Sequence, residues 1–341
     1  MGLLVNAEIV KEVFYVAVPI LKPIPINCID KKIEEYILGE IEALNGSFVI
    51  NDVNMEYKSV HDIENYNYIT QMVQPKHMRP YKIAVFEITV SKQSHLLKPF
   101  ENKEHGIWLS PEENFFYSTL HDLPIFEYAL AYALGVHCDG LFDVDYFIVF
   151  YNEKYLEKEE GFLNLFSHLY ENDDSFPNYL SKISLQKTLD WFLSLDDIIN
   201  FCGKTALGKS LSIYSRMFSS KGSDEDFFMC GLFAVMALEE ALYESNGSKK
   251  TLYEKISSFL NLEEQKCKRD IYKIYEHRCS VAHGGFELPF KFNNNDGSDD
   301  FMQSFGKTED SFDLGLLYLF KSFRKMIFEN KKELSFFYKC L

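Results

Sequence analysis

The chain is poor in tryptophan (2 of 341 residues), proline (10) and glycine (17), and its seven cysteines form no CxxC pair. Cys28, Cys138, Cys202, Cys230, Cys267, Cys279 and Cys340 are odd in number and widely spaced, which excludes a disulfide scaffold and a zinc ribbon. Long apolar runs are also missing. The longest clean ones, residues 146–151 and 231–238, fall far short of the roughly 20 residues a membrane span needs. Glu8, Lys11 and Glu12 leave no room for an apolar signal region, and Asn6 stands where a myristoylation pattern wants Ser or Thr. The expectation is a cytoplasmic protein with no membrane partner. Positive charge is scarce: 35 Lys and Arg against 51 Asp and Glu give a net charge of −16, which excludes a simple basic nucleic-acid coat protein. There is no internal repeat and no low-complexity segment.

What is present is a core. Hydrophobic residues make up 47% and charged residues 25%, and 31 Phe with 21 Tyr supply large buried areas. The acidity is uneven. Residues 1–180 hold 13 Lys and Arg against 28 Asp and Glu, whereas residues 181–341 hold 22 against 23. The C-terminal half can therefore carry local basic patches, and the asymmetry suggests a domain boundary near residue 180.

The patterns on the two sides of that boundary differ. Residues 13–21 (VFYVAVPIL), 81–90 (YKIAVFEITV) and 145–151 have the β-branched, aromatic or alternating character of strands. Residues 29–44 place Ile29, Ile33, Ile37, Ile41 and Leu44 on one helical stripe, and residues 126–136 predict a short helix. From about residue 181 the reading is helix throughout: one helix through Leu185, Leu189, Phe192, Leu195 and Ile199, then a long one over 227–243 behind a capping box at 223–226. A shorter one runs through Leu252, Ile256, Phe259 and Leu260. Another passes through Ile271, Ile274, Tyr275 and Arg278 and stops at Gly284-Gly285, and the last covers 312–328. Residues 291–311 read as a polar loop. The expected fold is α+β: an acidic mixed α/β domain over 1–180, of sensory or regulatory role, and an all-α bundle of four or five helices over 181–341.

The segment 274–285 (IYEHRCSVAHGG) puts Arg278 and His283 at the end of a helix with four residues between them. Metal-free RNA cleavage needs a base for the 2′-OH, an acid for the leaving 5′-oxygen and a cation for the phosphorane. Imidazole serves either proton role near neutrality, and guanidinium offers a fixed charged fork that fits phosphate oxygens. Five residues on a helix separate the two by about 140° and about 7.5 Å of rise, so they converge on one phosphate only if both line a cleft, which a second protomer could complete. The helix end favours a protonated imidazole. The plain alternative pairs Arg278 with Glu239, Glu240 or Glu276 and leaves His283 as a helix cap.

The RxxxxHG element, the aromatic Tyr275 before it, the upstream MALEEALYE (236–244) and the short helix 250–260 (KTLYEKISSFL) together resemble HEPN domains of the Apea-like type, over roughly residues 186–335. The resemblance implies a dimer in which two RxxxxH elements form one cleft. It implies a metal-independent endoribonuclease with RNA as partner, no metal and no cofactor, and a place in anti-phage defence or a toxin-like system. Catalytically silent members imply a dimerisation or nucleotide-binding module instead. Arg278 and His283 take the catalytic positions. Where active members carry a small polar residue after the arginine this chain has Cys279, and Ser280 one further on can supply the hydrogen bond, with Tyr275 beside the substrate. A regulatory partner is unidentified.

Residues 203–210 (GKTALGKS) match the P-loop pattern GxxxxGK[ST] in full, the less favoured alternative being a P-loop NTPase. A phosphate cradle needs a buried strand immediately before it, and residues 195–202 read as helix. Lys204 and Lys209 stay available to RNA phosphates on this reading. A metal at His277, Cys279 and His283 is disfavoured because His277 and Cys279 diverge by about 200° on a helix.

Overall fold

The computed structural model describes residues 8–21, 31–61, 68–69, 82–138, 143–144, 146–160, 179–180, 182–219, 232–244, 248–283 and 299–336. The fold is α+β, with an antiparallel sheet and a C-terminal helical region. By compactness the chain divides into two units. One comprises Met1–Leu134, Phe142–Gly161 and Ser184–Ser194; the other comprises Gly135–Leu141, Phe162–Ile183 and Leu195–Leu341.

The first unit is built on β1 (Ile9–Leu21), α1 (Lys31–Glu42), β2 (Asn45–Ile50), β3 (Val53–Ser59), β4 (Lys82–Gln93), a two-stranded ribbon β5 (Phe100–Asn102) and β6 (Ile107–Leu109), α2 (Pro111–Cys138), β7 (Asp143–Val144), β8 (Tyr146–Tyr151) and β9 (Lys154–Glu160). The main sheet runs β2-β3-β4-β1-β8-β9, with β7 also paired to β1. Every pairing is antiparallel, and β1 and β4 match from Ile9↔Gln93 to Ile20↔Lys82. The β2–β3 and β8–β9 hairpins turn on Asn51-Asp52 and Asn152-Glu153. All four residues have φ near +50 to +65°, the handedness that matches strand twist in a two-residue turn.

Phe126 of α2 packs against Phe48, Tyr57 and Phe86 at centroid distances of 6.4, 5.0 and 5.6 Å. A second apolar cluster comprises Ala17, Val85, Ile148, Phe150 and Ile69. The central strand β1 is thus buried along successive residues, Val16, Ala17 and Val18, and cannot show the alternation of a half-buried strand. The helix expected over 126–136 is the end of a 28-residue helix. Its start is a reciprocal capping box: Glu113 N–H donates to Ser110 Oγ (3.2 Å) and Ser110 N–H to Glu113 Oε2 (2.8 Å).

Among the described residues of the second unit all regular structure is helical: α4 (Asp196–Ile199), α5 (Ala206–Ser219), a π-helix (Ala237–Leu242), α6 (Lys249–Leu260), α7 (Glu264–Ala282) and α8 (Asp299–Glu329). Between the two units in sequence lies α3 (Leu185–Leu193), which belongs to the first. The single helix expected through Ile199 is broken: α3 caps at Ser194 and α4 begins after Leu195, whose burial kept it on the apolar stripe. The loop expected over 291–311 is helical from Asp299. The capping box at 223–226 lies outside the described residues, and of the 227–243 helix only the part from 232 is described, ending in the π-turns. The core joins Tyr214, Phe320, Phe323, Leu316 and Leu319. Arg324, almost wholly buried, donates through Nε and Nη2 to the carbonyl of Val136, in the last turn of α2, which belongs to this unit, at 3.0 and 2.9 Å. No helix among the described residues is long and apolar enough to cross a membrane.

Candidate active site

The helix carrying the RxxxxH element forms because Cys267, Ile271 and Ile274 recur at spacings of four and three and are buried. It is paired with α6 across a tight connection in which Asn261, in the left-handed region (φ +56°), caps α6. α7 ends at Ala282, and His283 is its C-cap, its N–H donating to the Cys279 carbonyl at 3.0 Å. The stop signal Gly284-Gly285 lies outside the described residues.

Arg278 and Tyr275 are brought together: the guanidinium carbon sits 5.6 Å from the Tyr275 ring centroid. Arg278 Nε lies 3.7 Å from Glu239 Oε2, with the arginine side chain 21% exposed and the glutamate wholly buried. Burial pulls the Arg278 pKa down, but a hydrogen bond with Cys279 and the charge of Glu239 more than offset it, so the pKa ends above its ordinary value. Burial, then the charge of Glu239, raises the Tyr275 hydroxyl. His277, buried one residue before Arg278, is held below the usual imidazole range by burial and by Lys307.

Glu239 is delivered by the π-helix. The wider turns displace the carbonyl ladder, and Ser210 Oγ donates to the Ala237 carbonyl at 2.9 Å. Lys255 of α6 closes the end of the segment, donating to the carbonyls of Tyr243 (2.7 Å) and Glu244 (3.1 Å).

Of the three carboxylates considered for Arg278, Glu239 is a partner, Glu276 lies 3.9 Å from Lys249, and the side chain of Glu240 lies outside what the structure describes. His283 is exposed at the helix end while Arg278 turns inward, so the two face different surroundings within one chain. Ser280 is half-buried in the last turn of α7. Comparisons with protein-family models, with curated proteins and with solved structures find no match.

The GKTALGKS string has a different use. It follows α4 and a turn rather than a strand. Its first donors are taken by the chain's own Asp197: Lys204 N–H (2.6 Å) and Thr205 N–H (3.2 Å) donate to Oδ1, and the Thr205 hydroxyl to Oδ2. Gly208 N–H in turn donates to Thr205 Oγ1 (3.0 Å). This is the capping of α5, with a carboxylate where a cradle would hold a phosphate. The glycines answer to packing: a Cβ at Gly208 would stand 2.2 Å from Asp197 Cγ, and one at Gly203 2.9 Å from the Gly208 carbonyl oxygen. Among the described residues no group of three or more His, Cys, Asp or Glu could hold a metal ion.

Proposed function

We propose that the protein is a metal-independent endoribonuclease of HEPN type, acting as a dimer through its helical unit in anti-phage defence or a toxin-like system. The observation that carries the reading is the guanidinium of Arg278, kept charged and oriented by Glu239 and Tyr275, with an exposed imidazole five residues on at the helix end. In the reaction His283 takes the 2′-OH proton, and the same residue of a second copy gives a proton to the leaving 5′-oxygen. Arg278 stabilises the phosphorane, with Ser280 and Tyr275 beside the substrate. Glu239 is a positioning residue: it fixes the fork without touching RNA.

The test is incubation of the full chain with RNA in EDTA. Cleavage that survives chelation, leaves 2′,3′-cyclic phosphate ends and disappears in His283→Ala supports the proposal. Activity unchanged in that variant sinks it.

One observation favours a second reading. The inward turn of Arg278 onto a buried carboxylate is also what a silent bundle would show, its arginine retained to neutralise Glu239. Expression in a bacterial host separates the two. A nuclease harms the host and Arg278→Ala relieves the harm, whereas for a silent dimerisation or nucleotide-binding module both forms are equally harmless.

A further inference from the structure

In a chain of net charge −16, residues 248–283 hold eight Lys and Arg against five Asp and Glu, a local net of +3. These residues are the α6–α7 hairpin. Five of its cations fall into two groups that differ in what they meet.

On the α8 side of α7, in a cavity of about 610 Å³, cations meet acids. Lys273 Nζ lies 2.6 Å from Asp310 and Arg269 Nε 3.4 Å from Asp270. On the α6 side, cations lie over rings. Lys268 Nζ is 5.9 Å from the Tyr253 centroid and 5.8 Å from that of Tyr272. Lys249 Nζ is 5.2 Å from Tyr272 and 5.0 Å from Tyr275, and Arg278 follows at 5.6 Å from Tyr275. The order Lys268, Tyr272, Lys249, Tyr275, Arg278 alternates cation and ring along α7. From Lys268 to Arg278 it spans about 15 Å at the helical rise per residue. Among the described residues Glu276 is the carboxylate set beside these lysines, 3.9 Å from Lys249.

A lysine lying on an aromatic face keeps its charge and loses much of its rotamer freedom before any ligand arrives, so less is lost when it meets a phosphate. The rings beneath are tyrosines, of which Tyr272 is half-exposed and offers an edge to a base. Cations in a row interleaved with aromatics are what a protein uses to track a single strand without reading its sequence.

We infer that the Lys268–Tyr272–Lys249–Tyr275 strip is a track for the backbone of single-stranded RNA, leading the strand to Arg278. The assignment of RNA rests on the nuclease reading; the track itself rests on the strip.

The test uses the full chain carrying His283→Ala, so that no cleavage intervenes, and a short fluorescein-labelled oligouridylate titrated at several salt concentrations in EDTA. Each phosphate contact on a single strand contributes about 0.7 to the slope of log K against log salt. Lys249→Gln with Lys268→Gln is expected to lower the slope by about 1.4. Lys249→Arg with Lys268→Arg is expected to keep it, which separates lost charge from lost fold. Lys250→Gln, which removes a charge paired with Glu254 and away from the rings, is expected to leave the slope unchanged. An unaltered slope in the double glutamine variant, an equal fall in Lys250→Gln, or no binding at all overturns the track. Lysine-dependent binding in a protein that never cleaves RNA keeps the track and removes the nuclease. Cleavage with a lysine-independent slope does the reverse.

Discussion

Arg278→Met is the perturbation with the most to reveal. It keeps the stem of the side chain and removes the charge. Glu239 is wholly buried and its partner 21% exposed, at 3.7 Å. Removing one member of a buried pair costs about 3–5 kcal/mol. The partial exposure and the separation place this pair at the low end, about 3 kcal/mol. In a unit of this size that corresponds to a fall in Tm of about 6–12 °C. The loss has a sign in pH. A buried glutamate that has lost its guanidinium has lost the charge that favours its ionised form, and burial raises its folded pKa above the unfolded value of about 4.3. A group of that kind contributes stability that is present below the unfolded pKa and lost as pH rises through the folded one. The deficit of Arg278→Met is therefore smallest near pH 4 and grows toward pH 8. Adding Glu239→Gln removes the stranded carboxylate and recovers about 2 kcal/mol, more at pH 8 than at pH 4. The assay is thermal unfolding of wild type, both single variants and the double variant at the two pH values. A deficit under about 1 kcal/mol, or one of equal size at both, refutes the pairing.

Two further outcomes follow from packing. Gly208→Ala sets a Cβ against Asp197 and is expected to cost about 2 kcal/mol, whereas Asp197→Ala loses the α5 cap for about 1–2 kcal/mol. The double variant should cost less than their sum, and strict additivity in urea unfolding would contradict the geometry. Arg324→Lys keeps the charge but not the fork that holds the Val136 carbonyl; a fall of about 2 kcal/mol in the same assay is expected, and less than about 0.5 kcal/mol would dismiss the fork.

The sequence was legible where one side of an element meets core and the other meets water. β4 from Phe86 onward and α1 are of this kind, and their patterns predict them within a few residues. Legibility failed where that contrast is absent. α2 is apolar nearly all round and interrupted by Pro124, so it offers no stripe over its first half. Its beginning was nevertheless written in Ser110, Pro111 and Glu113, a local signal independent of periodicity. The polar stretch after residue 299 was misjudged from composition, although Phe301, Phe305 and Phe312 recur at spacings of four and seven. At the site, the element 278–283 located the helix end correctly. It could not reveal which carboxylate meets Arg278, because that depends on the π-turns of a segment distant in sequence. Lys249 over Tyr272 and Tyr275 was hidden for the same reason, since it reaches those rings from another helix, whereas Lys268 and Tyr272 stand four apart on α7.

The Glu239–Arg278 pair bears on both readings of the site through the side from which the carboxylate approaches. A carboxylate in front of a guanidinium occupies the place a phosphate would take, and the arginine is then spent. A carboxylate behind it fixes the plane of the fork and leaves the charge in place, since an ion pair lowers a cation's potential without abolishing it at the far side. Glu239 has no exposed surface, whereas Arg278 keeps a fifth of its own, so the carboxylate lies on the protein side of the guanidinium. The solvent-reached part of this pair therefore belongs to Arg278 and none of it to Glu239. A phosphate arriving from solvent meets the arginine before it can feel the carboxylate, and the ammonium of Lys249 over the same tyrosine ring offsets part of the buried negative charge. The ion pair is in this way compatible with the proposed nuclease reading, in which Glu239 would orient the guanidinium rather than occupy the place of a phosphate.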